Sequence, residues 1–113
     1  MKKVSLLLVV AAIAAFAQAH SVLLTWVDTA NPAGTTYNVY RGTGACSVST
    51  SFAKIGSSVV PKTYTDLAVV SGTNYCYQVT AMNVNGESGP SNQITSGAIP
   101  ALFPPTGVTV FVN

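Results

Sequence analysis

Residues 64–92 read YTDLAVVSGTNYCYQVTAMNVNGESGPSN, and within them Tyr75, Tyr77, Val79 and Ala81 fall on alternate positions. That is the period of a β-strand with one buried face. Asn83-Val84-Asn85-Gly86 follows as a turn, and a second, more polar strand begins after it. Working outward, Val22, Leu24 and Trp26 alternate in the same way, as do Tyr37, Val39 and Arg41. Strands are expected over 21–27, 36–41, 52–55, 63–66, 74–83 and 91–96, with Asn31-Pro32-Ala33-Gly34 marking one of the turns between them. Beyond the N-terminal segment no stretch has helical periodicity. Short strands with turn signals at this spacing predict an all-β protein, a small antiparallel β-sandwich.

The N-terminus is read apart from that domain. Met1-Lys2-Lys3 is basic, residues 4–16 are almost wholly apolar, and Ala17-Gln18-Ala19 fits a small-x-small cleavage site. Together they have the pattern of a secretory signal peptide, 1–19, with the mature chain starting at His20. An apolar run of about 13 residues is too short to cross a hydrocarbon layer of roughly 30 Å as a helix. No membrane association is therefore expected once the segment is removed, and the product is expected to be secreted or periplasmic.

Removing 1–19 also removes Lys2 and Lys3. Arg41, Lys54 and Lys62 then face Asp28, Asp66 and Glu87, three against three. Nucleic acids and anionic membranes need clustered Lys or Arg, so this balance argues against both as partners. So few charges also offer little electrostatic protection against self-association. The remaining chain of about 94 residues has room for one domain with a modest core.

Cys46 and Cys76 are the only cysteines. Cys76 has the opposite parity to Tyr75 and Tyr77, so it should face away from the core, while Cys46 sits in a Gly/Ser/Thr-rich loop over 42–51. A disulfide between them would staple that loop across the outer face of the sheet, as an exported protein permits. The alternative, a metal site or reactive thiols, has no partner histidine nearby. Catalysis finds little support. A copper site built on an N-terminal His20 needs a second histidine, and the chain has one in all. Asp28, Asp66 and Glu87 stand at strand ends or turns, where carboxylates commonly bond turn backbone. No Ser-His-Asp set, phosphate loop or metal-ligand spacing is present, so no catalytic residue, metal or cofactor is expected.

His20 to Trp26 (HSVLLTW), Tyr37 to Arg41 (YNVYR) and the run from Tyr64 to Asn92 together resemble a fibronectin type III domain of the bacterial secreted form. The likeness covers nearly all of the mature chain. It implies an immunoglobulin-like antiparallel β-sandwich over 20–99, with Trp26 as the core tryptophan of strand B. Tyr75 would be the tyrosine-corner residue of strand F, approached by Val69, Ser71 and Thr73. Trp26, Tyr37, Val39, Tyr75, Tyr77 and Val79 would form the core. The implied function is a secreted, non-catalytic module that binds a protein or polysaccharide at the cell envelope. Leu23 and Tyr40 point outward and are candidates for a contact patch or for scattered surface apolar residues.

One departure from the family suggests another role. Strand B begins essentially at His20, so strand A is missing from the mature chain, and its loss would leave an open apolar edge. Residues 100–113 form a linker and tail, and Pro104-Pro105-Thr106-Gly107-Val108-Thr109-Val110-Phe111-Val112 has the look of a strand A. Val108, Val110 and Val112 would be the donated face. The linker over 98–103 reaches at most ~20 Å, short of a sandwich about 24 Å tall. A second copy is easier to reach than the tail's own edge. The alternative function is a structural subunit, a homo-oligomer built head to tail by strand donation, set against a tail that belongs to a longer tandem array or packs loosely on its own domain.

Overall fold

Val22, Leu24 and Trp26 lie on one side of β2 (His20–Val27), Tyr37 and Val39 on one side of β3 (Thr36–Thr43), and all five are buried. In β6 (Tyr75–Asn83), Tyr75, Tyr77, Val79 and Ala81 are buried against them. The computed structural model describes residues 3–12, 20–48 and 51–100, with backbone alone at 8–12. It is all-β and two-layered. The smaller sheet runs β1 (Ser5–Ala12), β2, β5 (Thr63–Asp66). The larger runs β4 (Ala53–Val59), β3, β6, with β7 (Gly86–Glu87) and β8 (Ile94–Thr95) both pairing β6. Trp26 of one layer meets Tyr37 of the other edge-on, ring centroids 5.3 Å apart. Ile99, buried beyond the last strand, closes the core.

The first strand lies within the segment read above as a leader. Residues 5–12, set aside above with the leader, pair antiparallel with β2 along its whole length, from Ser5 opposite Val27 to Ala12 opposite His20. Val4 and Leu6 are buried in the core, while Ser5 and Leu7 face out. In the full chain the strand-A position is therefore filled, and its absence applies only to a chain from which 1–19 has been removed. The cause is simple. The edge of β2 is apolar and unpaired, and an adjoining apolar segment of the right length satisfies it.

Two other strands differ from expectation. β4 runs to Val59, longer than the expected 52–55, because Gly56-Ser57-Ser58 hides it from any alternation test. It is bulged, with register shifts opposite Tyr37–Tyr40 and a left-handed backbone at Ser58, φ 52°. Gly56 is required there by a close approach, since a Cβ would stand 2.8 Å from the Tyr64 ring. The Tyr64 hydroxyl donates to the Ile55 carbonyl (2.6 Å), joining β5 to β4 across the layers.

The closing strand, expected over 91–96, is a regular ladder only at Ile94–Thr95. Serines replace the rest. Ser88, Ser91 and Ser96 each donate a backbone N–H, at 2.8 Å, to the carbonyls of Ala81, Val79 and Tyr75. In return their hydroxyl oxygens accept the N–H of the same three residues, at 2.8, 2.9 and 3.1 Å. Each side chain supplies the acceptor that the irregular backbone cannot, which leaves no buried donor on β6 unpaired at those positions.

Candidate functional site

At the pole where β2 ends, Asp28 opens the loop to β3. Its carboxylate accepts the Asn31 side-chain amide (3.1 and 2.9 Å), the Tyr37 hydroxyl (2.9 Å) and the backbone N–H of Ala30 and Asn31. Burial pushes its pKa up, but these donors outweigh it and hold the carboxyl below the ordinary aspartate range. Burial and the neighbouring Asp28 anion push the Tyr37 phenol up to about 12. Pro32 to Thr36 and Met82 to Val84, with Ser58, line one open depression, so the β2–β3 loop and the β6–β7 turn share this pole. Val60 and Val84 project into solvent there.

The opposite pole carries a partly buried ion pair. Arg41 on β3 crosses between layers to Asp66 on β5, its Nη1 lying 3.0 and 2.9 Å from the two carboxylate oxygens. Asp66 also accepts the Tyr77 hydroxyl (2.8 Å) and the Ala68 backbone N–H (3.0 Å). The guanidinium stands 5.2 Å over the Tyr75 ring. Burial, then the Asp66 anion, raises the Tyr77 phenol far above its usual value. The Tyr75 hydroxyl accepts the Val70 N–H at 3.0 Å, the tyrosine-corner bond that the resemblance implies. Ile99 exchanges backbone bonds with Gly72 and Thr73 beside it, so the described chain ends at this pole.

The outer face of the larger sheet is polar. Glu87 accepts from Asn38 (3.0 Å), Tyr40 (2.5 Å) and Thr80 (2.5 Å), and Gln93 donates to Gln78 (3.1 Å). Lys54 lies 5.9 Å over the Tyr40 ring. Hydrogen bonds from Thr80, Tyr40 and Asn38 lower the Glu87 carboxyl to about 2. A carboxyl with a depressed folded pKa adds stability that is complete above its unfolded value, near 4.5, and fades as pH falls toward 2. Because Glu87 is solvent-exposed, the gain is about 1 kcal/mol at most. Thermal melts of the wild type and Glu87→Gln should therefore differ at pH 7 and converge by pH 2.

Cys46 and Cys76 form a disulfide. Cys76 is fully buried yet lies outside the core cluster, its side chain on the opposite side of β6 from Tyr75 and Tyr77. Leu23 and Tyr40 belong to different layers, each facing away from the core, so they make no shared patch. His20 has no partner for either ring nitrogen among the described residues, and no group of three His, Cys, Asp or Glu there is placed to hold a metal. The three acids are separated into two poles and one face and make no acid–base pair. Val108, Val110 and Val112 lie outside the described residues. Sequence reasoning missed the Arg41–Asp66–Tyr77 set and the serine clamps. The only signal for the former was a charge at the inward parity of β3.

Two antiparallel layers, an inter-sheet aromatic core and a tyrosine corner define an immunoglobulin-like β-sandwich. No family model matches the sequence, yet solved structures of the same architecture are specific. An Fn3-like protein from Clostridium thermocellum is 28% identical, with a TM-score of 0.57 over 76% of this chain and 83% of that one. The fourth fibronectin type III domain of a human protein superposes over 94% of this chain and 85% of its own, TM-score 0.66 at 18% identity. The fold is that of a fibronectin type III domain. Among characterised proteins, an amylopullulanase of Thermoanaerobacter thermohydrosulfuricus is 42% identical over 59 residues, which are 51% of this chain and 4% of that enzyme.

Proposed function

We propose that this is a secreted, non-catalytic fibronectin type III module that binds a protein or polysaccharide outside the cell or in the envelope. The observation that carries the reading is the commitment of all three acids to structural bonding, which leaves the sandwich with surfaces rather than a reactive centre. A disulfide supports an oxidising compartment. The likeness to a short part of an amylopullulanase favours polysaccharide as the ligand class. The outer face of the larger sheet carries the half-buried Tyr40 with Gln78, Gln93 and Lys54 for such a chain: one ring edge, two amides and an ammonium. Affinity electrophoresis through gels containing pullulan or soluble starch tests it. Retardation by an α-glucan that Tyr40→Ala abolishes is the expected result. Unretarded migration in both gels overturns the polysaccharide arm.

A further inference from the structure

In a chain without residues 1–19, the face most in need of a partner would be the edge of β2 that β1 covers here. Residues 4–12 show what satisfies it: an antiparallel strand along all eight β2 residues, with alternate apolar side chains, Val4 and Leu6, entering the core. A second contact receives the strand from its other side. The Asn92 side chain accepts the Leu6 N–H (3.0 Å) and donates to the Leu6 carbonyl (3.4 Å). Without residues 1–19, that slot would expose the flanks of Val22, Leu24 and Trp26 and leave the ladder unpaired.

We propose that, once residues 1–19 are removed, the slot is filled by residues 106–113 of a second copy of this chain. Val108, Val110 and Val112 repeat the alternation that the slot accepts, with Thr109 and Phe111 facing out. Direction selects the second copy. Ile99 is bonded to Gly72 and Thr73, at the pole where β2 begins, whereas a strand antiparallel to β2 must enter at the pole where β2 ends. Residues 100–105 span at most ~20 Å, against ~26 Å for the eight residues of β2. The chain cannot reach its own entry point, but a neighbour stacked end to end brings that point beside Ile99. The poles fit such stacking. Val60, Met82 and Val84 are exposed at one, Leu67 and Val70 at the other, and end-to-end contact would cover both groups. The interface is heterologous and extends into a filament.

The inference rests on the export part of the reading above and on no external ligand. The full chain, produced with its own leader and recovered from the exported fraction, is weighed intact and then measured by multi-angle light scattering, beside Val110→Asp. A chain starting at His20, with oligomers that grow with concentration and are lost in Val110→Asp, is the expected result. Three results overturn the proposal: a wild-type monomer starting at His20, oligomers that persist in Val110→Asp, or an exported chain that retains residues 5–12. The intact mass distinguishes failed export from failed docking.

Discussion

Asp66→Ala is expected to lower the unfolding free energy by about 3 kcal/mol, a large share of the 5–15 kcal/mol typical of a whole domain. Asp66 is almost fully buried, its side chain 4% exposed, and it closes three bonds at once: to Arg41, to Tyr77 and to the Ala68 backbone. Removing it strands the Tyr77 hydroxyl in a fully buried site, at a cost of about 1–3 kcal/mol for an unsatisfied donor. It also leaves Arg41 without its anion. The guanidinium can partly recover, because its side chain is 23% exposed and rests on the Tyr75 ring, so the total falls at the lower end of the range for a broken buried pair. Tyr77→Phe, which removes only the donor, should cost about 1 kcal/mol. Urea unfolding of these variants, with a double-mutant cycle through Arg41→Met, measures the coupling. A loss below about 1 kcal/mol for Asp66→Ala would mean that the ion pair adds nothing beyond its geometry.

This ion pair also marks where sequence reasoning stops. The alternation of Val22, Leu24 and Trp26, and of Tyr75 through Ala81, placed β2 and β6 because burial of one face imposes a period of two on local sequence. Nothing local pairs Arg41 with Asp66, 25 residues away, since the pairing depends on how two layers stack. The closing strand was partly illegible for a different reason. Ser88, Ser91 and Ser96 are polar residues performing the work of backbone carbonyls, and polarity reads as loop. Hydrophobicity alone does not say whether the apolar run over 5–12 serves as a leader, as a strand of the full chain, or as both in turn. In this chain the open edge of β2 accepts it as a strand. For the candidate surfaces, the alternation gave the outward parity of Leu23 and Tyr40, but both are half-buried, and only the two-layer topology shows them facing opposite sides.

Opening the Cys46–Cys76 bridge should cost as much as losing Asp66, and by an independent route. The cysteines are 30 residues apart, and closing a loop of about that length removes roughly 3–4 kcal/mol of chain entropy from the unfolded state. On the native side, residues 44–46 are held in part by other bonds. Gly44 donates to the Asn74 carbonyl (2.8 Å) and Cys46 to the Thr95 hydroxyl (3.0 Å). Those bonds fix the loop locally and do nothing to restrict the unfolded chain, so they cannot replace the crosslink. Cys46→Ser with Cys76→Ala, chosen because Cys76 is buried and would not tolerate a second hydroxyl, should keep the β-sheet circular-dichroism spectrum. Its melting temperature should fall by about 12 °C or more, at 4–8 °C per kcal/mol for a domain of this size. Dithiothreitol should produce the same shift in the wild type and none in the variant. Equal melting temperatures with and without the bridge would place the stability of the sandwich in its core alone. The expected loss instead makes the fold depend on the oxidising compartment to which the N-terminal segment would deliver it.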